Sequence, residues 1–213
     1  MSIATLYDVH GNLAALEAVL AEVPDDATII VGGDVVAGGA QPAETLERLR
    51  GLGARVLWLR GNADRELTPG EPGLAPQEVI EETRMQLTEE QIAFLHGLPP
   101  TLQIGRVLYC HATPRNDVDV FTERTPEERV APIFAGVDAD VVVCGHTHMQ
   151  FDRTIAGKRV VNSGSVGVPY EDAPGAYWTF DLVHRRTEYA GAEQPRMGRD
   201  EAMELFASFD VAL

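Results

Sequence analysis

The chain has 213 residues, enough for one domain with a sizeable core, and its 45% hydrophobic and 23% charged residues describe a foldable globular protein. Against 33 acidic residues it carries 17 basic ones, a net charge of −16 with Lys158 as the only lysine, which excludes a general binder of nucleic-acid backbone. No run of 18 or more apolar residues predicts a membrane span, and the first eight residues lack the basic-then-apolar pattern of a secretion signal, so a cytoplasmic protein is expected.

Strand and helix patterns alternate from the start. Residues 2–7 form a short apolar run that predicts a strand, and residues 12–22 set Leu13, Leu16, Ala18, Val19 and Leu20 at helical spacing. A β-branched run at 28–31 ends in Gly32-Gly33. Pro42 opens a second helix to residue 52, and a third strand at 56–59 is stopped by Gly61-Asn62. This order favours parallel strands joined by helical crossovers. Residues 67–76 are rich in Pro and Gly and predict a surface loop. A helical stretch over 76–95 breaks near Leu87-Thr88, where Thr88 and Gln91 have the spacing of a capping box. Residues 101–104 and 107–110 predict a hairpin, 126–135 a helix and 140–144 a buried strand. Further strands are expected at 159–162, 176–181 and 185–189, with turns at Gly157 and 182–184, and an amphipathic helix at 199–209. No linker or repeat divides the chain, so one domain with two sheets is expected.

Five of these strand ends deliver metal-ligand side chains: Asp8-Val9-His10, Gly33-Asp34, Gly61-Asn62, His111 and Gly145-His146-Thr147-His148. Two carboxylates, four imidazoles and one amide oxygen are too many for one zinc and suit two adjacent divalent ions. Residues two apart on an extended segment point the same way, so Asp8 with His10, and His146 with His148, could each address one ion. Ligand-bearing strand ends in an open α/β sheet lie along one edge, where binding crevices form. His96 and His184 fall outside the set and predict surface or helix-end positions. Cys110 and Cys144 end apolar runs and predict buried, reduced thiols, while Trp58 and Trp178 predict core.

The ordered motifs resemble the calcineurin-like metallophosphoesterase family, in its small bacterial and archaeal phosphodiesterase branch. The matching pieces are Asp8-Val9-His10-Gly11-Asn12, Gly33-Asp34, Gly61-Asn62-Ala63-Asp64, Cys110-His111 and Gly145-His146-Thr147-His148, with Asn162-Ser163-Gly164-Ser165 similar to the family's closing turn. The resemblance implies a four-layer α/β/β/α sandwich of two mixed sheets flanked by helices. It implies that Asp8, His10 and His148 hold one metal, that Asn62, His111 and His146 hold a second, and that Asp34 bridges them. A hydroxide between the ions would attack phosphorus, with Asn12 and Asp64 orienting ligands or lying beside the phosphate. Manganese is the expected ion, and iron, nickel or zinc also suit N/O donors without thiolate.

One position departs from the family pattern. Many members have His after the Gly-Asn of the third motif, where it contacts phosphate and assists the leaving group; here it is Ala63. This argues against a phosphoserine or phosphothreonine phosphatase and favours phosphodiesters whose leaving group departs unaided, with His10 the substitute acid if one is needed. Arg115 is positioned in sequence to fork onto a substrate phosphate, and Arg65 to neutralise Asp64. The acidic chain favours a small phosphodiester or nucleotide over a long polyanion. The alternatives are a nucleotide or dinucleoside polyphosphate phosphatase, and a protein-interaction module on the same fold, which an incomplete ligand set would signal. Oligomeric state stays open, with a homodimer as the candidate.

Overall fold

In a strand, successive side chains face opposite ways, and the first strand, β1 (Ile3–Leu6), uses both faces. In the computed structural model, which describes residues 1–207, Ala4 and Leu6 pack with helices on one side, whereas Ile3 and the following Tyr7 face a second sheet on the other. Such two-sided burial explains why the runs read as continuous apolar stretches.

The chain continues through α1 (Leu13–Glu22), β2 (Thr28–Val31), α2 (Pro42–Arg50), β3 (Val56–Trp58), α3 (Asn62–Glu66), α4 (Gln77–Arg84), α5 (Glu89–His96), β4 (Thr101–Ile104), β5 (Val107–Cys110), α6 (Glu127–Ala135) and β6 (Val141–Cys144). It ends with β7 (Gln150–Ile155), β8 (Lys158–Ser163), β9 (Ala176–Phe180), β10 (Val183–Thr187) and α7 (Arg199–Ala207). The first sheet has the order β10-β9-β1-β2-β3 and the second β4-β5-β6-β8-β7. Both are mixed: β1, β2 and β3 run parallel, as do β5, β6 and β8, while β9 and β10 close one sheet antiparallel and β4 and β7 flank the other.

Four layers result. Leu16, Val19, Leu46, Leu49 and Leu95 of α1, α2 and α5 cover the outer face of the first sheet. Tyr7, Ile30, Leu59, Tyr109 and Val143 fill the space between the sheets. Val130 and Phe134 of α6 pack on Cys110, Cys144, Phe151 and Val160 outside the second sheet. The expected α/β sandwich is therefore present. Both cysteines are buried free thiols, Trp178 is core, and Trp58 packs edge-on against Phe94. No helix among the described residues is long and apolar enough to cross a membrane.

Several boundaries differ from expectation for identifiable reasons. The 76–95 stretch breaks into two helices where expected, and Thr88 closes the predicted capping box by accepting the Gln91 N–H while Gln91 Oε1 accepts the Thr88 N–H; other boundaries moved. The turn into β10 lies at Asp181-Leu182, both with positive φ, which suits a two-residue hairpin turn and moves the strand start to Val183. β7 escaped prediction because it is an edge strand that buries only Phe151 and Ile155 and leaves Asp152 exposed. The short helix α3 was also unexpected. Of the predicted 199–209 helix, residues 208 and 209 lie outside the described residues.

Candidate metal centre

The parallel strands of both sheets end at the same edge. Asp8, Asp34 and Asn62 follow β1, β2 and β3, while His111, His146 and His148 follow β5 and β6. Asp8, His10, Asp34, His146 and His148 all have positive φ, between 49° and 69°. For residues with a Cβ this left-handed conformation costs on the order of 1 kcal/mol each. Loop-to-loop hydrogen bonds hold it in place: Asp8 N to Gly33 O at 3.1 Å, His10 N to Asp34 O at 3.0 Å, and Gly145 N to His111 O at 2.9 Å. The approach of the β2 and β3 loops also requires glycine at position 61, because a Cβ there would lie 2.1 Å from Asp34 Oδ1.

These turns gather the side chains into two groups. Asp8, His10 and His148 bring one potential donor atom each to within 4.8 Å of one another, and so do Asp34, His111 and His146. His146 and His148 thus belong to different groups, against the extended-chain expectation that they share an ion. Both segments are left-handed at their ligands, so the two-residue repeat of a strand does not govern either of them, and Asp8 stays with His10 while His146 parts from His148.

Hydrogen bonds leave the donor atoms bare. The Nδ1 atoms of His10, His111 and His148 lie 2.6 Å, 2.9 Å and 2.6 Å from the carbonyl oxygens of Ala37, Gly32 and Val168. A carbonyl only accepts, so each Nδ1 carries a proton and each ring turns its Nε2 into the site, where it offers a lone pair once deprotonated. His10 Nε2 and His148 Nε2 face each other at 3.1 Å, and both approach Asp8 Oδ1, at 3.9 Å and 3.5 Å. Asp8 Oδ2 accepts the His146 N–H. Asp8 Oδ1, Asn62 Oδ1 and His111 Nε2 are buried without a hydrogen-bond partner. Buried polar atoms left so cost about 1–3 kcal/mol each; the two oxygens are acceptors, and His111 Nε2 becomes one on losing its proton. This donor set fits divalent cations with mixed nitrogen and oxygen preference.

The charges of the groups also depend on one another, and a cation at His111 Nε2 would displace a proton. Burial alone would raise the Asp34 carboxyl, yet His111, His10 and His146 hold it well below the usual range. Burial disfavours the His111 imidazolium, but Asp34 and Asp8 outweigh that and push its pKa up to about 10. Burial and the neighbouring His111 push His146 down to about 4.

Residues 1–185 match the model of the calcineurin-like phosphoesterase superfamily domain. The chain belongs to that superfamily. It is 26% identical to phosphodiesterase YfcE of Escherichia coli K12, over 82% of this chain and 84% of that protein. A symmetrical bis(5'-nucleosyl)-tetraphosphatase of Pectobacterium atrosepticum is 32% identical, over only 55% of this chain and 46% of its own. The crystal structure of a metallophosphoesterase from Sphaerobacter thermophilus superposes with a TM-score of 0.74 at 27% identity, covering 89% of this chain and 88% of that one.

Within this phosphoesterase, several residues expected at the reaction have other employment. Asp64, expected among the catalytic residues, is fully buried. Its Oδ2 accepts from Asp34 N and Gly61 N and its Oδ1 from Val35 N, so it buckles the β2 and β3 loops together. Burial and the Asp34 charge push its pKa up to about 7, against the pull of the backbone donors. Asn12, expected to bind substrate, caps α1 through Oδ1 and donates from Nδ2 to Gly167 O and Tyr189 Oη. Arg115 forks onto the buried Asp119 at 3.0 Å and 2.8 Å, stabilising its own loop rather than reaching for phosphate. Arg65 pairs with Asp117, not with Asp64. The half-buried His184 donates to or accepts from no ligand group and instead bonds Asn162 O, while His96 ends α5 as expected.

The closing turn does brace the centre. Ser165 Oγ donates to Asp8 O, and Asn162 Nδ2 donates to Gly145 O. Glu66 was not singled out from sequence, although it stands four residues after Asn62, one turn along a helix. It accepts the Asn62 Nδ2 hydrogen bond at 2.8 Å, aiming Oδ1 away, and also binds the N–H groups of Leu74 and Ala75. Glu66→Ala is expected to free that amide and weaken metal binding by about 10- to 100-fold. Isothermal titration of the metal-free variant with Mn²⁺ measures this, and unchanged affinity would remove Glu66 from the account.

Proposed function

We propose that the chain is a metal-dependent phosphodiesterase with a dinuclear centre, in which Asp8, His10 and His148 hold one cation, Asn62, His111 and His146 the other, and Asp34 lies between. The observation that carries this reading is the set of converging, uncompensated donors: Asp8 Oδ1, Asn62 Oδ1 and His111 Nε2 without partners, and two imidazole Nε2 atoms facing at 3.1 Å. A pair of divalent ions, manganese by preference, would supply a hydroxide nucleophile at neutral pH and neutralise the phosphoryl oxygens. The chain's own part is to hold the rings by their Nδ1 protons, to aim Asn62 through Glu66, and to fix Asp34 Oδ1 on the Ala63 N–H at 2.8 Å.

At position 63 the backbone N–H is engaged and the side chain is a methyl group, so no proton is offered there to a departing alkoxide. Around it a cavity of about 410 Å³ has an apolar wall that includes Leu74, Val79, Val120 and Phe206, suited to one organic substituent of a diester. The likeness to a phosphodiesterase supports the same choice. The partial likeness to a tetraphosphatase supports a second reading, hydrolysis within a dinucleoside polyphosphate.

Metal analysis combined with hydrolysis of aryl phosphodiesters and the matching monoester tests the proposal. About two metals per chain, preference for the diester, and a steep fall in rate with rising leaving-group pKa are expected. A near-flat dependence would show that some other acid assists departure. No bound metal and no hydrolysis after addition of Mn²⁺ would sink the enzyme reading.

A further inference from the structure

The cavity over the centre has a neighbour. A second cavity of about 600 Å³ shares His10 with it and is lined by polar side chains including Asn12, Gln41, Tyr189 and Gln194 and by glycine backbone. His10, Gly38, Val168 and Arg196 line both, so the two spaces abut along one ridge. Each falls within the ~300–1,000 Å³ of small-molecule sites. They differ in character: the first has an apolar wall and the second offers amide and hydroxyl groups.

Arg196 stands on this ridge, on the segment between β10 and α7. It is the sole lysine or arginine lining either cavity. The other arginines about the site are spent on carboxylates: Arg65 on Asp117, Arg115 on Asp119, and Arg199 on Glu171 and Glu123. Among the described residues no hydrogen bond or ion pair engages the Arg196 guanidinium, although its charge draws the Tyr170 hydroxyl down against the larger opposite effect of burial. Tyr170 in turn stacks on His148 at 4.9 Å. A guanidinium without a carboxylate partner, in a chain of net charge −16, is well suited to a phosphate. Glu193 lines the polar cavity further along and suits hydroxyl or amino groups rather than a second anion.

Resting on the phosphodiesterase reading, we infer that the two cavities form one cleft for a two-ended substrate, a nucleotide ester with a phosphate besides the one attacked. The reacting phosphate sits at the His10 side of the metal centre, with the less polar substituent in the smaller cavity. Arg196 holds the additional phosphate, and the nucleoside end occupies the polar cavity. Arg196 is thereby a specificity residue.

The test compares bis(p-nitrophenyl) phosphate with the p-nitrophenyl esters of thymidine 5′-monophosphate and thymidine 5′-diphosphate, using the metal-loaded chain and its Arg196→Ala and Arg196→Lys variants. Wild type is expected to favour the diphosphate ester in KM by about 10-fold or more over the monophosphate ester. Arg196→Ala should erase that preference with kcat for the diphosphate ester little altered, and Arg196→Lys should restore part of it. A second readout needs no turnover: binding of a fluorescent thymidine diphosphate to the chelator-treated protein should weaken about 10-fold in Arg196→Ala. Hydrolysis that proceeds with no Arg196-dependent preference overturns the inference and leaves the phosphodiesterase reading intact. Arg196-dependent binding without hydrolysis of any ester does the reverse.

Discussion

Asp34→Asn is expected to lower kcat/KM for an aryl phosphodiester by roughly 10³-fold and to reduce the number of bound metals per chain. Asp34 is almost wholly buried, with one oxygen fixed by the Ala63 N–H and the other 3.5 Å from His111 Nε2. The substitution preserves size and the Ala63 hydrogen bond, but it removes the negative charge that lies between the two groups of donors. It also points an amide N–H₂ toward His111. The fold should survive, because the variant loses no apolar contact and keeps its backbone hydrogen bonds. Circular dichroism with metal analysis and initial rates separates these outcomes. A variant that keeps two metals and near-normal rates would remove Asp34 from the centre.

Asp64→Ala is expected to act through stability and to cost about 3–5 kcal/mol, since three buried N–H groups, of Asp34, Gly61 and Val35, would lose their acceptor at about 1–3 kcal/mol each. Partial relaxation of the loops accounts for a figure below the largest sum. Urea denaturation of the metal-free proteins measures it. Asp64→Asn should fall between, because one oxygen still accepts while the new N–H₂ confronts donors. A loss of activity with stability unchanged would instead place Asp64 at the substrate.

The contrast between Asp34 and Asp64 shows what could be read from the chain alone. Residue type and order announce a metal centre, because glycine-flanked Asp, Asn and His at successive strand ends have few other uses. The sandwich was legible for a related reason: its central strands are buried on both faces and read as apolar runs. Which polar atom meets which neighbour was not legible. Asn12 is occupied by Gly167, Arg65 by Asp117, and Arg115 by an Asp119 four residues on whose burial is a tertiary outcome. The five-residue α3 is too short to be stable from its own sequence, so the Asn62–Glu66 pairing it creates was hidden with it. The left-handed φ values at Asp8, His10, His146 and His148, which free these segments from the strand repeat, are not announced by local sequence.

The candidate donors come from the strand ends of both sheets, Asp8, His10, Asp34 and Asn62 from one and His111, His146 and His148 from the other. On the proposed reading, cations lodged there would join the early and late portions of the chain as a rivet joins two plates. Each group of three draws on both sheets, so neither half would keep an ion by itself. The durability of the fold would then be tied to metal supply: ligand-linked stabilisation grows with the logarithm of free ion above the dissociation constant. When metal is scarce, the same junction of strained turns and bare acceptors is where the two plates would first part.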